Sequence, residues 1–438
     1  MTTAPLTARP GAAHRLAALA ADFLGGPLPV RLRAWDGSES GPAGAPVVVL
    51  RSRRALRRLL WHPGELGLAQ AYVTGELDVE GDLARGLRAV WAARREQGLR
   101  PPRLTSADRA RAVATAVRLG AVGPRPAAPA SQARLRGGLH SRARDRAAIS
   151  HHYDLSNDFY RLLLDDTMAY SCGYWTKDED SAFGPADAQR AKLELICRKL
   201  ALEPGARLLD IGCGWGSLTL YAAQRHGARV TAVTLAREQA AHVREQVAER
   251  GLEHRVEVVC QDYRDIEGGP YDAVATVEMG EHVGDAEYPA FAGALHRLVR
   301  PGGRVLVQQM SRGPGAPGGG PFIEAYIAPD MHMRPLGETV TLLEAAGLEL
   351  RHTESLREHY TRTVNAWHRT LEERWDRFGA LVGEETARVW RLYLAGGALA
   401  FEEGRMGVDQ ILAVRPGPGG ASGMPTATPA WYEGLDRL

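Results

Sequence analysis

The hydrophobic and polar positions divide the chain into regions of different pattern. Between residues 12 and 120, short alternating runs mix with amphipathic helical segments, which predicts a small α+β domain. Its predicted strands are Pro29–Trp35, followed by an Asp36-Gly37 turn, and Val47–Leu50. Its predicted helices are Ala12–Phe23, Leu56–Leu60 and Leu83–Ala93.

From residue 145 to 415, strand-like and helical patterns alternate, which predicts an α/β domain with a parallel sheet and crossover helices. Residues 121–144 between the two domains are rich in Pro, Ala and Gly and predict a linker. Residues 416–438 are also rich in Pro and Gly, so we expect a disordered tail there.

The composition is that of a globular protein, with 438 residues, 45% hydrophobic and 24% charged. We find no apolar run of about 18 residues, and Met1–Pro10 lacks the pattern of a secretory signal, so we expect a cytoplasmic protein. The four cysteines form no Cys-x-x-Cys pair, which argues against both a disulfide framework and a zinc site, and we expect no metal.

The formal net charge is only +2, but the choice of cation is unusual, with 51 Arg and 3 Lys. Such a ratio is typical of GC-rich coding, so a single Arg is weak evidence of function. Arginines are dense in Arg51–Arg58 and Arg134–Arg146. These patches are either solvated faces or contacts to an anionic surface of nucleic acid or phospholipid headgroups.

A glycine-rich turn follows the first predicted strand of the α/β domain. Asp210 ends this strand, and Gly212, Gly214 and Gly216 follow before a predicted helix. The spacing differs from the dinucleotide fingerprint, and a carboxylate at Asp210 suits a cationic group better than a phosphate. We therefore predict S-adenosylmethionine as the cofactor, with its ammonium group near Asp210.

The ends of the next strands supply the remaining candidate cofactor contacts, because ligands bind at the carboxyl ends of parallel strands. The predicted ribose contacts are Thr234, Leu235 and Gln239, and the predicted adenine contacts are Gln261, Asp262 and Tyr263. An ordinary turn with a surface Tyr is the alternative for the last three. The order of strands and turns predicts a Rossmann-like class I methyltransferase fold.

Several long motifs resemble those of the cyclopropane-fatty-acyl-phospholipid synthases. The similarity covers residues 145–415, and the N-terminal domain resembles, more weakly, the accessory domain of longer members. The motifs are His151–Tyr160, Tyr170–Trp175, Leu209–Gly216, Gln261–Asp265, Glu281–Gly284 and Tyr326–Pro329. Tyr170 and Ser171 in the second motif are expected to contact the cofactor.

The resemblance implies methyl transfer from S-adenosylmethionine to a cis double bond of a phospholipid acyl chain. The resulting carbocation then loses a proton to a base. In the family that base is a bicarbonate held by a Cys main-chain amide, a Glu, a His and a Tyr. Cys172, Glu281 and Tyr360 match three of these, but Gln308 stands where the family has His.

A second departure lies three residues before Glu281, where Glu278 replaces a residue that is usually Gly in the family. A neutral amide at Gln308 weakens the case for bicarbonate. Our hypothesis is that the Glu278 carboxylate is the base and that the two departures are linked. The alternative is that Glu278 points away and only adjusts the cofactor contacts.

The altered base favours the branch of the family that makes 10-methylene acyl chains, the precursors of 10-methyl acids such as tuberculostearic acid. A flavin- or nicotinamide-dependent reductase partner would then reduce the methylene group. An ordinary cyclopropane synthase, a small-molecule methyltransferase and a non-catalytic cofactor-binding subunit remain alternatives.

The same resemblance sets the expected partners. A phospholipid substrate implies peripheral binding at the inner face of the membrane, and the family's accessory domain implies a homo-oligomer. Nucleic acid is not expected, because the chain lacks the Asn/Asp-Pro-Pro-Tyr motif of amino-methylating enzymes.

Overall fold

The computed structural model describes residues 10–24, 26–96, 105–133, 137–142, 144–145, 155–177, 182–313 and 318–438. Residues 134–136 and 146 of the second arginine patch and residues 151–154 of the first family motif lie outside this set. The chain forms two compact units. The first comprises Met1–Gln132 with Val382–Leu399, and the second Ala133–Leu381 with Ala400–Leu438.

The first unit combines helices with a four-stranded sheet, in agreement with the predicted α+β class. The sheet order is β2-β1-β3-β4, with β1 and β3 parallel and the other pairs antiparallel. Its strands are β1 (Arg31–Arg33), β2 (Glu39–Ser40), β3 (Val47–Leu50) and β4 (Leu77–Val79). Its helices before residue 132 are α1 (Ala12–Leu24), α2 (Arg53–Trp61), α3 (Glu65–Val73), α4 (Leu83–Glu96) and α5 (Ser106–Arg118).

Residues 382–399 belong to this first unit, although the sequence pattern placed them in the catalytic domain. Arg388 is the main reason. Its guanidinium is buried, donates to the main-chain oxygens of Tyr72 at 2.6 Å and Leu77 at 3.0 Å, and lies over the Tyr72 ring. Such long-range contacts leave no signal in local periodicity.

The second unit contains the predicted α/β domain. Its strands are β5 (Arg207–Ile211), β6 (Arg229–Thr234), β7 (Val256–Cys260), β8 (Tyr271–Val277), β9 (Val299–Ser311), β10 (Glu349–Ser355) and β11 (Gly407–Val414). Its helices up to β9 are α6 (Asn157–Leu163), α7 (Pro185–Lys199), α8 (Ser217–Arg225), α9 (Arg237–Glu249) and α10 (Tyr288–Leu298). The later helices are α11 (Pro321–Tyr326), α12 (Leu336–Ala345), α13 (Arg357–Glu373), α14 (Trp375–Val382) and α15 (Glu384–Glu402), the last of which begins in the first unit.

The seven strands form one sheet in the order β10-β11-β9-β8-β5-β6-β7. Strands β5 to β9 are parallel, and β11 is antiparallel to both β9 and β10. From β5 the chain proceeds through β6 to β7 at one edge and then returns to β8 on the other side of β5. This reversal opens a crevice at the carboxyl ends of β5 and β8, where doubly wound folds bind ligands.

The C-terminal segment is packed, which corrects the prediction of a disordered tail at residues 416–438. Trp431 and Leu435 are buried in the core of the second unit, and Arg198 donates to the main-chain oxygens of Ala430, Trp431 and Glu433. The Pro/Gly-rich composition hid these two apolar anchors, whose burial stabilises an otherwise irregular segment.

Several described arginines of the two patches pair with neighbouring carboxylates. In the first patch Arg51 pairs with Asp78, and the buried Arg58 pairs with Glu76. In the described part of the second patch, Arg142 pairs with Asp265 and Arg144 with Asp330. These ion pairs weaken the interpretation of the patches as contacts to an anionic surface, at least for these four residues. Among the described residues, no helix is long and apolar enough to span a membrane.

Candidate active site

A cavity lies at the carboxyl ends of β5, β6 and β8, at the position that the topology predicts. Ten of the predicted cofactor residues line it. These are Tyr170, Ser171, Asp210, Gly212, Gly214, Thr234, Leu235, Gln239, Gln261 and Tyr263. The predicted base, Glu278, lines the same cavity.

The turn after β5 depends on glycine. Gly212, Gly214 and Gly216 all have positive φ, at 81°, 54° and 85°. A Cβ on Gly212 would lie 2.9 Å from Cγ of Met279, so both backbone conformation and space exclude a side chain there. The turn thus brings main chain against the cavity, while Gly216 serves as the N-cap of α8 and is not among the described lining residues.

Asp210 places a buried carboxylate at the cavity wall. Its Oδ2 accepts a hydrogen bond of 2.7 Å from Oγ1 of Thr219. Burial raises the pKa of Asp210 to about 6, because it outweighs the side-chain and main-chain hydrogen bonds from Thr219 and the charge of Lys192, which favour the ionised form. A cationic ligand group would remove this penalty, so the site fits the ammonium group of S-adenosylmethionine.

The expected ribose contacts also come together. Oγ1 of Thr234 donates to Oε1 of Gln239 at 2.7 Å, and both side chains line the cavity. This bond orients the Gln239 amide, because its oxygen is engaged and its Nε2 group remains a donor. The pair thus places one hydroxyl and one amide, both uncharged, at the cavity wall.

Asp262 has a different place from the one predicted. It is not among the described lining residues, and Arg264 donates to both of its carboxylate oxygens, at 2.8 Å and 2.6 Å. Although burial raises the pKa of Asp262, these hydrogen bonds outweigh it and hold the pKa below its ordinary value. Gln261, Tyr263 and Arg264 line the cavity instead.

Glu278 is the centre of the predicted catalytic group. Its Oε1 accepts hydrogen bonds from the main-chain N–H of Cys172 at 2.8 Å and from Nε2 of Gln308 at 2.9 Å. Its Oε2 accepts a hydrogen bond of 2.5 Å from the Tyr360 hydroxyl. The structure therefore brings four of the five predicted catalytic residues into one hydrogen-bonded cluster.

The backbone and the burial of Glu278 are both unusual. Its φ of 51° lies in the left-handed region, which a residue with a Cβ rarely adopts. Burial raises the pKa of its carboxyl above the ordinary value, and the hydrogen bonds from Tyr360, Cys172 and Gln308 oppose this rise. Conformational strain and desolvation at one position are typical of a functional site.

Cys172 contributes its main chain rather than its thiol. Burial raises the pKa of the thiol well above its ordinary value, and Sγ lies within hydrogen-bond distance of the main-chain oxygens of Gly173 and Leu356. A thiol held neutral in this way is a poor nucleophile. The relevant contact of Cys172 is its main-chain N–H, which donates to Oε1 of Glu278.

Glu281 lies apart from this cluster. It is fully buried on the 3₁₀ turn Gly280–His282 and is not among the described residues that line the cavity. Its Oε1 is 3.5 Å from the main-chain N–H of Met310, and Oε2 has no hydrogen-bond partner among the described residues. Burial, with the charge of Glu278, raises the pKa of Glu281 to about 8, so it is mainly protonated at neutral pH.

Sequence analysis missed Lys192 on α7. This lysine is buried, lines the cavity, and donates through Nζ to Oγ of Ser171 at 3.0 Å. Burial lowers its pKa, while Glu278, Asp165 and Asp210 favour its charged form. The rarity of lysine in this chain could have drawn attention to it, because only 3 of the 54 basic residues are Lys. A lysine carries a compact ammonium group that an arginine cannot replace.

Comparisons with known proteins identify the family of this chain. The family model described as mycolic acid cyclopropane synthetase matches residues 140–411. A Mycobacterium tuberculosis protein named "Probable fatty acid methyltransferase" is 38% identical over 407 residues, which cover 91% of this chain and 93% of the relative. The tuberculostearic acid methyltransferase of the same organism is 34% identical over 412 residues, covering 89% of each chain.

The solved structure of a mycolic acid cyclopropane synthase in complex with SAH and CTAB is also similar. It has a TM-score of 0.57 and 30% sequence identity, and the match covers 61% of this chain and 98% of that one. The fold is thus that of class I methyltransferases, and the cofactor is S-adenosylmethionine. This chain is an enzyme of the mycolic acid cyclopropane synthetase family.

Proposed function

We propose that this enzyme methylates the cis double bond of a phospholipid acyl chain and that its product carries a 10-methylene group. The observation that carries the proposal is the position of the Glu278 carboxylate. It accepts hydrogen bonds from the Cys172 main-chain N–H and the Tyr360 hydroxyl. The family resemblance implies that these two groups hold the bicarbonate base in other members. A carboxylate of the chain itself thus replaces a bound carboxylate-like ion.

The hydrogen bonds to Glu278 leave it able to act as a base. An ionised carboxylate has about four acceptor positions, and the described partners occupy three of them. The remaining position is available for a proton. Because burial raises the pKa of Glu278, the carboxylate is a stronger base than an exposed Glu.

The other residues of the cavity hold the cofactor and keep water away. When bound, S-adenosylmethionine supplies an electrophilic methyl group. Asp210 fits its ammonium group, and Thr234 with Gln239 fits its ribose. Glu278 lines the cavity, where burial raises the pKa of its carboxyl, and this setting would shield an acyl carbocation from water until Glu278 removes a proton.

The identity and place of the base bear on the product. Loss of a proton from the added methyl group closes a cyclopropane ring, whereas a hydride shift before that loss gives a methylene branch. A base that is a side chain of the protein reaches the carbocation from one fixed direction, whereas an exchangeable ion does not have to. The position of Glu278 can therefore influence which product forms. Similarity along almost the whole chain to a tuberculostearic acid methyltransferase supports the methylene branch. A flavin- or nicotinamide-dependent partner would reduce this product.

An ordinary cyclopropane synthase is the second candidate. The retained positions of the Cys172 amide, Tyr360 and the buried Glu281 favour it, since these match the family's bicarbonate ligands. In that case Glu278 would serve as the base and no hydride shift would precede the loss of the proton from the added methyl group.

We also propose that the enzyme binds the membrane surface peripherally through its N-terminal unit, and that it forms a homo-oligomer as longer family members do. Trp61 and Val122 are 51% and 52% exposed, and Nε1 of Trp61 donates to the main-chain oxygen of Gly123, the residue after Val122, at 3.3 Å. Arg57 and Arg125 flank them. An exposed Trp beside cationic groups is suited to an anionic headgroup layer.

Product analysis tests the proposed reaction. Purified enzyme, S-adenosylmethionine and oleoyl phospholipid are combined without bicarbonate, and the acyl chains are examined by mass spectrometry and proton NMR. We expect a gain of one CH₂ with vinylidene protons, and loss of this product in Glu278→Gln but not in the surface control Glu267→Gln. Upfield ring protons would support the cyclopropane alternative. No gain, with S-adenosylmethionine binding intact, would support a non-catalytic subunit.

A further inference from the structure

A row of polar side chains crosses three neighbouring strands beside Glu278. Gln308 on β9 is the cross-strand partner of Gln410 on β11, and Gln410 is the partner of Glu354 on β10. Lys199, the last residue of α7, contacts two side chains of this row. Its Nζ donates to Oε1 of Gln410 at 2.7 Å and to Oε2 of Glu354 at 2.5 Å.

The hydrogen bonds along this row have one direction. Because an ammonium group only donates, Lys199 must be met by the oxygen of the Gln410 amide. Nε2 of Gln410 then donates to Oε1 of Gln308 at 2.9 Å, and Nε2 of Gln308 donates to Oε1 of Glu278 at 2.9 Å. A reversed Gln308 amide would place its oxygen against the carboxylate of Glu278.

We propose that Lys199 is a positioning residue for Glu278, acting through Gln410 and Gln308. Its ammonium group sets the orientation of both amides, so that an N–H always faces the carboxylate of Glu278. This inference rests on the proposed role of Glu278 as the base. The residues that influence the proton transfer would then include Lys199, which is not among the described residues that line the cavity.

Burial makes this orientation specific. Lys199 and Gln308 are 0% exposed and Gln410 is 1% exposed, so bulk water does not replace a lost partner. An unsatisfied polar group in such a place is costly, and the amides therefore keep the arrangement that satisfies the whole row.

The charge of Lys199 is balanced on the side away from Glu278. Burial lowers the pKa of Lys199, and Glu354 opposes this shift. The hydroxyls of Tyr174 and Tyr432 donate to Glu354, at 3.0 Å and 3.2 Å, and His352 is the other titratable group affected by Lys199. The charge of Lys199 is therefore balanced by Glu354, while the hydrogen bonds that lead to Glu278 run through Gln410 and Gln308.

The pKa of Glu278 is the direct readout of this role. It can be followed by infrared titration of the carboxyl C=O band, assigned with Glu278→Gln, and by the acid limb of the pH profile of kcat. We expect Lys199→Met and Gln410→Leu each to raise this pKa by about one unit, since an N–H bond to a carboxylate stabilises its ionised form. Gln308→Leu should produce the same shift, and combining it with Lys199→Met should add nothing further.

Tyr432→Phe is the matched control, because it removes a hydrogen bond from Glu354 but leaves the row intact. It should not move the pKa of Glu278. If Lys199→Met does not fold, Lys199→Met/Glu354→Leu removes both charges of the pair and takes its place.

The proposal is overturned if Gln308→Leu shifts the pKa of Glu278 but the Lys199 and Gln410 variants do not. It is also overturned if Tyr432→Phe shifts the pKa equally, because the effect would then be general loosening. Full activity of Glu278→Gln would instead contradict the proposed function, and the infrared titration would still measure the effect of Lys199.

Discussion

The Glu278 carboxylate accepts a hydrogen bond of 2.9 Å from the side-chain amide of Gln308. These are the two residues at which the chain departs from the family's bicarbonate site, so the departures are physically coupled. A histidine at position 308 could change its charge near neutral pH when an exchangeable ion binds or leaves. The Gln308 amide does not titrate, so it donates a permanent hydrogen bond to the fixed carboxylate of Glu278. The coupling leads to the first prediction.

Replacing Glu278 by Gly should convert the enzyme to dependence on bicarbonate. The change removes the base and the strain of a φ of 51°, and it leaves the donors of Cys172, Gln308 and Tyr360 without their acceptor. We expect activity to fall by about 10²-fold or more in bicarbonate-free buffer and to recover partly when bicarbonate is added. The wild type should not respond. Methyl transfer by Glu278→Gly at the wild-type rate without bicarbonate would contradict the role of Glu278.

Cofactor binding should depend on the ionisation of Asp210. Because burial raises the pKa of this carboxyl to about 6, it is partly protonated just below neutral pH and must lose the proton to meet an ammonium group. Affinity for S-adenosylhomocysteine should therefore decrease as the pH falls through about 6, with proton release on binding. Calorimetry in buffers of different ionisation enthalpy measures this release. Asp210→Asn should bind weakly and release no proton, and equal release by that variant would rule out Asp210 as the source.

Gly212→Ala should weaken cofactor binding and lower stability. The positive φ and the 2.9 Å approach of Met279 both oppose a methyl group, at a cost of about 1–3 kcal/mol in unfolding free energy. Gly293→Ala on α10 is the control, since a Cβ there meets no atom within 4 Å and should not destabilise the fold. Urea unfolding and a binding titration distinguish the two variants. Equal stability would show that the turn after β5 is less constrained than its geometry indicates.

Glu281 should make the fold less stable as the pH rises. Its pKa in the folded protein is about 8, above the ordinary 4.5, so the stability it contributes is complete below pH 4.5 and is lost as the pH rises through 8. Glu281→Gln does not ionise and should lose less unfolding free energy between pH 5 and pH 8, by on the order of 3 kcal/mol. Urea titrations at the two pH values measure the difference. An unchanged pH dependence would mean that Glu281 ionises normally in the folded protein.

Trp61→Ala should reduce binding to anionic liposomes, because it removes an exposed aromatic side chain that donates to Gly123, the residue after Val122. The loss should be measurable by sedimentation and should leave activity on a detergent-dispersed substrate unchanged. Binding by the wild type should also weaken at high salt if Arg57 and Arg125 take part. Leu381→Ala replaces an exposed apolar residue of the other unit and serves as the control. Equal liposome binding by the Trp61 variant would exclude this surface.

Local sequence patterns were sufficient to predict the parts of the site that lie on consecutive residues. Asp210 and Gly212 follow a buried strand, and the positive φ of Gly212 agrees with the predicted tight turn. The strand Val47–Leu50 was predicted with the observed bounds for the same reason, since its apolar run is bounded by breaking residues. The proximity of Glu278 and Gln308 was predicted only through the resemblance to the family and its bicarbonate site, and the structure places them on the adjacent strands β8 and β9.

Other features depend on how particular side chains pack in the folded protein. The amino-acid sequence determined the order of strands and turns and the cofactor class, because each depends on residue type and local spacing, and the resemblance to the family added that Gln308 stands in place of a His. Tertiary structure decided that Arg264 engages Asp262, that Trp431 anchors the C-terminal segment and that Lys199 reaches Gln410. These contacts join residues whose separation along the chain ranges from two positions to more than two hundred. Their formation depends on which side chains are buried and on the direction in which each one points. Hydrophobic periodicity does not predict these properties for a particular pair of residues.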